Sequence, residues 1–126
     1  MAITPGIEGT YTVAVGELDT AEVVGSGDVP VLATPRVVAW MEIAAVEALR
    51  PLLDESATTV GTEVSIEHLA ASPVGTVVQC RAVVTAVEGR TVTFDVSANQ
   101  EDVVLARGVH RRVVVDRARF LERAGA

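Results

Sequence analysis

The sequence predicts an α+β fold in a single domain, with an antiparallel sheet wrapped around one long apolar helix. Three observations carry that expectation. At 126 residues the chain suits one core and not two. Its apolar share is 49%, much of it Val and Ala, with two Phe, one Trp and one Tyr, a balance that favours extended sheet. Residues 37–49 are apolar on nearly every side, and a helix without a polar face is a buried helix.

The elements follow in order. Residues 11–15 alternate, Tyr11, Val13 and Val15 against Thr12 and Ala14, and read as a short strand. Residues 18–30 are irregular around Gly25-Ser26-Gly27-Asp28, a flexible loop in preference to a phosphate cradle. Thr34-Pro35 starts a helix, with Thr as the cap and Pro in the first helical position. It should run from about Pro35 to Arg50 and must stop by Pro51, whose ring cannot sit in a helix interior.

Four strand-like runs come next. Residues 60–70 place Val64, Ile66, His68 and Ala70 on one face and Glu63, Ser65 and Glu67 on the other. Residues 76–87 set Val78, Cys80, Ala82, Val84 and Ala86 together. Glu88-Gly89-Arg90 is a tight hairpin, and residues 91–98 turn Val92, Phe94, Val96 and Ala98 inward. Residues 103–115 form a long last strand, after which Asp116 caps a short terminal helix through Glu122. A twisted sheet of that size can enclose a helix that has no polar face, which is the hot dog arrangement over residues 1–126.

Composition narrows the function. All ten basic residues are arginine against 17 acids, giving a net charge of -7. Such a chain is poorly suited to nucleic acid or to anionic membranes. The longest apolar run, residues 37–43 with Glu42 inside it, is too short to span a bilayer, and the N-terminus does not read as a signal peptide, so a cytoplasmic protein is expected. Cys80 is the only cysteine and reads as an inert core thiol. A mean hydropathy of +0.39 is high for so small a chain, and implies that a second copy covers part of the sheet about a two-fold.

The chemistry centres on Glu42, whose neighbours three and four residues away are Val38, Ala39, Ala45 and Val46. Glu42 is either a helix glutamate that reaches solvent or pairs with an arginine, or a desolvated carboxylate with a raised pKa, suited to general base work. His68 shares the inward face of its strand, as a core residue or as an imidazole whose tautomer a carboxylate fixes. His110 sits in phase with Ala106 and Gly108 but beside Arg111 and Arg112, which leaves rim and interior equally open. Thr34 and Glu42 lie about 12 Å apart along an ideal helix, so they cannot touch directly. A hydroxyl, a carboxylate and an imidazole aimed at one interior suit acyl transfer or hydrolysis. No nucleophile elbow, Walker loop, dinucleotide fingerprint or zinc-binding H-E-x-x-H occurs, and two histidines with scattered acids give weak grounds for a metal.

Three stretches then match something specific: V-L-A-T-P-R-V-V-A-W-M-E at residues 31–42, V-G-T-E-V-S-I-E-H at 60–68 and G-V-H-R-R at 108–112. Together they resemble the fluoroacetyl-CoA thioesterase family of hot dog proteins, over about residues 8–120. The resemblance implies an acyl-CoA thioester hydrolase acting as a homodimer, without metal or redox cofactor. It places the family's catalytic threonine, glutamate and histidine on Thr34, Glu42 and His68. The oxyanion-binding glycine falls on Gly61, and the arginine near the acyl group on Arg112. In the fluoroacetyl-specific member, phenylalanines before the threonine close over the acyl pocket. Here that loop reads Ser26-Gly27-Asp28-Val29-Pro30, so another small or medium acyl group is equally expected. The rivals are a non-catalytic acyl-CoA binding module and a hot dog enoyl-CoA hydratase, the second disfavoured because its His and Asp motif is missing.

Overall fold

The computed structural model describes residues 2–126. It contains β1 (Glu8–Ala14), a one-turn α1 (Ala21–Val24), the long α2 (Thr34–Leu49), β2 (Ala57–His68), β3 (Val77–Glu88), β4 (Thr91–Gln100), β5 (Val103–Asp116) and α3 (Arg117–Ala124). The five strands make one sheet in the order β1-β3-β4-β5-β2, and every neighbouring pair is antiparallel.

α2 lies across the inner face of the sheet. Val37, Trp40, Met41, Ala44, Ala45, Ala48 and Leu49 are buried, a spacing of three and four that makes a continuous stripe. They meet Val78, Cys80, Ala82 and Val84 of β3 and Val92, Phe94, Val96 and Ala98 of β4, so most of the expected alternation is present. The rest of the helix is not fully enclosed: Val38, Ala39, Ile43 and Val46 are only half-buried.

Sequence and structure differ where the backbone departs from strict alternation. Ala33, not Thr34, caps α2, and it does so without a side-chain bond; Thr34 is already helical, so its hydroxyl is free for other work. Pro51 ends the helix as expected, within a single 3-10 turn (Arg50–Leu52). In β3 the register slips between Val84 and Ala86, and Val87 also packs on the core. In β2 it slips between Gly61 and Glu63. One extra residue reverses the facing of everything beyond it. Counted back from Val64, alternation would turn Thr62 inward; the bulge turns Gly61 inward instead, opposite Arg112.

β1 crosses α2 almost backbone to backbone. A Cβ at Gly9 would stand 2.3 Å from the Ala44 carbonyl oxygen and 2.4 Å from the Ala48 nitrogen, which leaves room for hydrogen alone. Gly9→Ala is expected to cost about 1–3 kcal/mol by overpacking. A fall in the urea midpoint at unchanged slope would register it; an unchanged midpoint would contradict the close crossing.

Candidate active site at the open edge of the sheet

The structure gathers the candidate residues into two groups, both served by the edge strand β2. At one end, Gly61 leaves a gap that the Glu42 side chain enters. A Cβ there would lie 2.6 Å from Glu42 Oε2 and 3.2 Å from Arg112 Nη1. Arg112 Nη1 donates to Glu42 Oε2 at 3.1 Å. Arg112 is itself 6% exposed, and Thr59 holds its far side, accepting from Nε through Oγ1 at 2.9 Å and from Nη2 through its carbonyl at 3.2 Å. A buried guanidinium is tolerated only when its donors are met. Burial pushes Arg112 below its ordinary value, and the Glu42 carboxylate opposes that shift.

Glu42 is therefore neither unpartnered nor dry. Its side chain is 37% exposed and pairs with Arg112, which was one of the two readings open from sequence. Among the described residues every hydrogen bond to it goes to Oε2, so Oε1 is free to meet a ligand.

At the other end, Thr34 Oγ1 lies 2.7 Å from His68 Nδ1. His68 Nε2 is sealed from water and has no partner among the described residues. Either the hydroxyl donates to Nδ1 and Nε2 carries the proton, or Nδ1 donates and Nε2 presents its lone pair. Both groups line a cleft of about 370 Å³ whose other walls include Ala21, Val29, Val31 and Leu69.

Within one protomer these groups do not meet. The seven residues from Gly61 to His68 span about 23 Å of extended strand, and Thr34 to Glu42 spans about 12 Å of helix. The expectation that carboxylate and imidazole share one crevice therefore fails inside a single chain.

Sequence reasoning left His110 undecided and passed over Thr59. His110 is 1% exposed and accepts from Arg112 Nη1 through Nε2 at 3.1 Å. The signal was present in its phase with Ala106, Gly108 and Arg112. It was masked by Arg111, which faces outward and pairs with Glu63.

Burial pushes both imidazoles below the ordinary 6.5; at His110 the Arg112 charge adds to this, while the Glu63 carbonyl and Glu42 oppose it. The unfolded chain therefore takes up protons before the folded one. Stability from the neutral imidazoles is complete above about pH 6.5 and falls below it. The urea midpoint should drop between about pH 7.5 and pH 5.5; a flat midpoint across that window would contradict the burial.

Comparison with known proteins agrees with this architecture. The family model for fluoroacetyl-CoA-specific thioesterase matches residues 15–118. A fluoroacetyl-CoA thioesterase from Streptantibioticus cattleyicolor is 36% identical over 90 residues, which are 71% of this chain and 65% of that protein's length. The solved structure of a fluoroacetyl-CoA thioesterase superposes with a TM-score of 0.91 at 28% identity, over 98% of this chain and 96% of the other. A thioesterase superfamily member from Thermus thermophilus gives 0.88 at 28%, over 96% and 90%. A hot-dog-like protein from Thermanaerovibrio acidaminovorans gives 0.87 at 26%, over 95% and 89%. The chain has the hot dog fold, and it belongs to the fluoroacetyl-CoA-specific thioesterase family.

Proposed function

We propose that this protein hydrolyses acyl-CoA thioesters as a cytoplasmic homodimer, with Thr34, Glu42 and His68 as its catalytic residues and Gly61 and Arg112 binding substrate. The observation that carries the reading is the Glu42 carboxylate held by Arg112 at 3.1 Å in the gap over Gly61. Anchoring one oxygen leaves the other to activate water, or to attack the carbonyl carbon and give an anhydride that water then opens. The Gly61 N–H polarises the thioester carbonyl. His68 moves the proton that the departing thiolate needs, and Thr34 holds its ring through the 2.7 Å bond. Among the described residues no helix is long and apolar enough to cross a membrane.

Dimerisation supplies what one chain lacks. β2 ends the sheet and has β5 alone as its neighbour, leaving a 12-residue edge. Such edges are normally covered. An antiparallel pairing with a second β2 about a two-fold near Ser65 brings the Gly61 end of one strand beside the His68 end of the other. Val38, Ala39 and Val46 of α2 are half-buried in one protomer and leave apolar surface for a second copy to cover. The Glu42 group of one protomer and the Thr34–His68 group of the other then serve one thioester.

The cleft beside Thr34 and His68 takes the acyl group. Its walls carry no Phe, Tyr or Trp, which suits a small or medium aliphatic chain and gives no particular grip on fluoroacetyl. One related structure was solved with fluoroacetate and CoA.

Free-thiol release from an acyl-CoA panel tests this reading. Glu42→Gln and His68→Ala should fold normally and lose about 10²-fold or more in turnover. Gly61→Ala should lose activity with them, because its Cβ displaces the carboxylate. Wild-type rates in both Glu42→Gln and His68→Ala would defeat the assignment, and tight acyl-CoA binding with no thiol release would make the protein a binding module.

A further inference from the structure

His110 is a buried titratable group that the proposed mechanism does not use. Its ring stacks on Phe94 with centroids 6.0 Å apart and 24° between planes. Nδ1 lies 2.8 Å from the Glu63 carbonyl oxygen. A carbonyl only accepts, so Nδ1 carries a proton. Nε2 lies 3.1 Å from Arg112 Nη1, and a guanidinium only donates, so Nε2 presents its lone pair. Two independent contacts thus specify one neutral tautomer.

That lone pair bears on the site. Arg112 Nη1 carries two protons; one goes to Glu42 Oε2 and the other to His110 Nε2. With Thr59 fixing the far side of the guanidinium, His110 removes its last freedom to turn. The geometry points to His110 as a positioning residue, a fixed neutral acceptor that aims Arg112 at the Glu42 carboxylate. The inference rests on the proposed role of Glu42, but the tautomer itself does not.

The ring's surroundings favour this state. Glu42 from α2 and Arg112 from β5 are the charged groups facing it. β2 contributes only the Glu63 main-chain carbonyl, since that residue's carboxylate pairs with Arg111 outside, and β4 contributes the uncharged Phe94. Burial and the guanidinium both oppose protonation.

Two measurements test it. The chain has two histidines, so His68→Ala leaves one imidazole for nitrogen NMR. At about pH 7.5 its Nδ1 should be protonated and its Nε2 bare. A proton on Nε2 at that pH, alone or beside one on Nδ1, would overturn the proposal. In kinetics, His110→Phe keeps the stack but offers no acceptor, whereas His110→Gln can return an oxygen near Nε2. The Phe variant should lose about 10- to 100-fold in kcat with KM within about twofold, and Gln should recover most of it. Equal kcat in wild type and the Phe variant, or no recovery with Gln in a folded protein, would also overturn it. If Glu42→Gln kept full activity while the tautomer was as stated, the proposed function would fail and the assigned hydrogen-bond state would stand.

Discussion

A guanidinium buried beneath a helix sets the terms for its whole surroundings. Leaving the charge of Arg112 without partners at that depth would cost several kcal/mol. Each group that meets it is accordingly constrained. Thr59 must stay on the inward face of β2, His110 must keep one tautomer, and Glu42 must point into the sheet although its helix neighbours are apolar. Gly61 completes the arrangement by having no side chain where the carboxylate passes. The bulge in β2 is what brings that glycine inward. β2 is the edge strand of the protomer's sheet, the position where such bulges are most common.

The rest of the molecule supplies a rigid frame for this contact. The buried stripe of α2 locks against β3 and β4, and the Gly9 crossing fixes β1 within backbone contact of the same helix. Glu42 extends from the side of α2 that this core does not cover. The second group, Thr34 with His68, is positioned by the start of α2 and the end of β2, so both groups are attached to the same two elements at different heights. That spacing keeps the two groups apart within one protomer.

The fold was largely legible because its periodicities are clean. An apolar helix bounded by prolines, and the alternation of Val92, Phe94, Val96 and Ala98, leave little choice about layers and facing. What escaped was local. Bulges at Gly61 and Val84 follow from how two strands meet, which alternation along one strand does not record. Thr34 looked like a cap because its hydroxyl stands next to a proline. The structure gives the cap position to Ala33, and the hydroxyl turns to an imidazole 34 residues away. A pairing of Glu42 with some arginine was open from sequence as a reason to discount the glutamate, without a partner named. In three dimensions the same pair is what orients it, and His110 could be placed only once Arg111 and Arg112 were seen to face opposite ways.

In the proposed mechanism the carboxylate of one copy and the imidazole of the other act on the same thioester. Refolding Glu42→Gln and His68→Ala protomers together tests it most directly. Random pairing makes about half of the dimers mixed, and each mixed dimer holds one intact site of two. Turnover should then rise from near zero in either parent to about a quarter of the wild-type rate. Mixed dimers demonstrated by native mass spectrometry, yet no more active than their parents, would contradict the shared site.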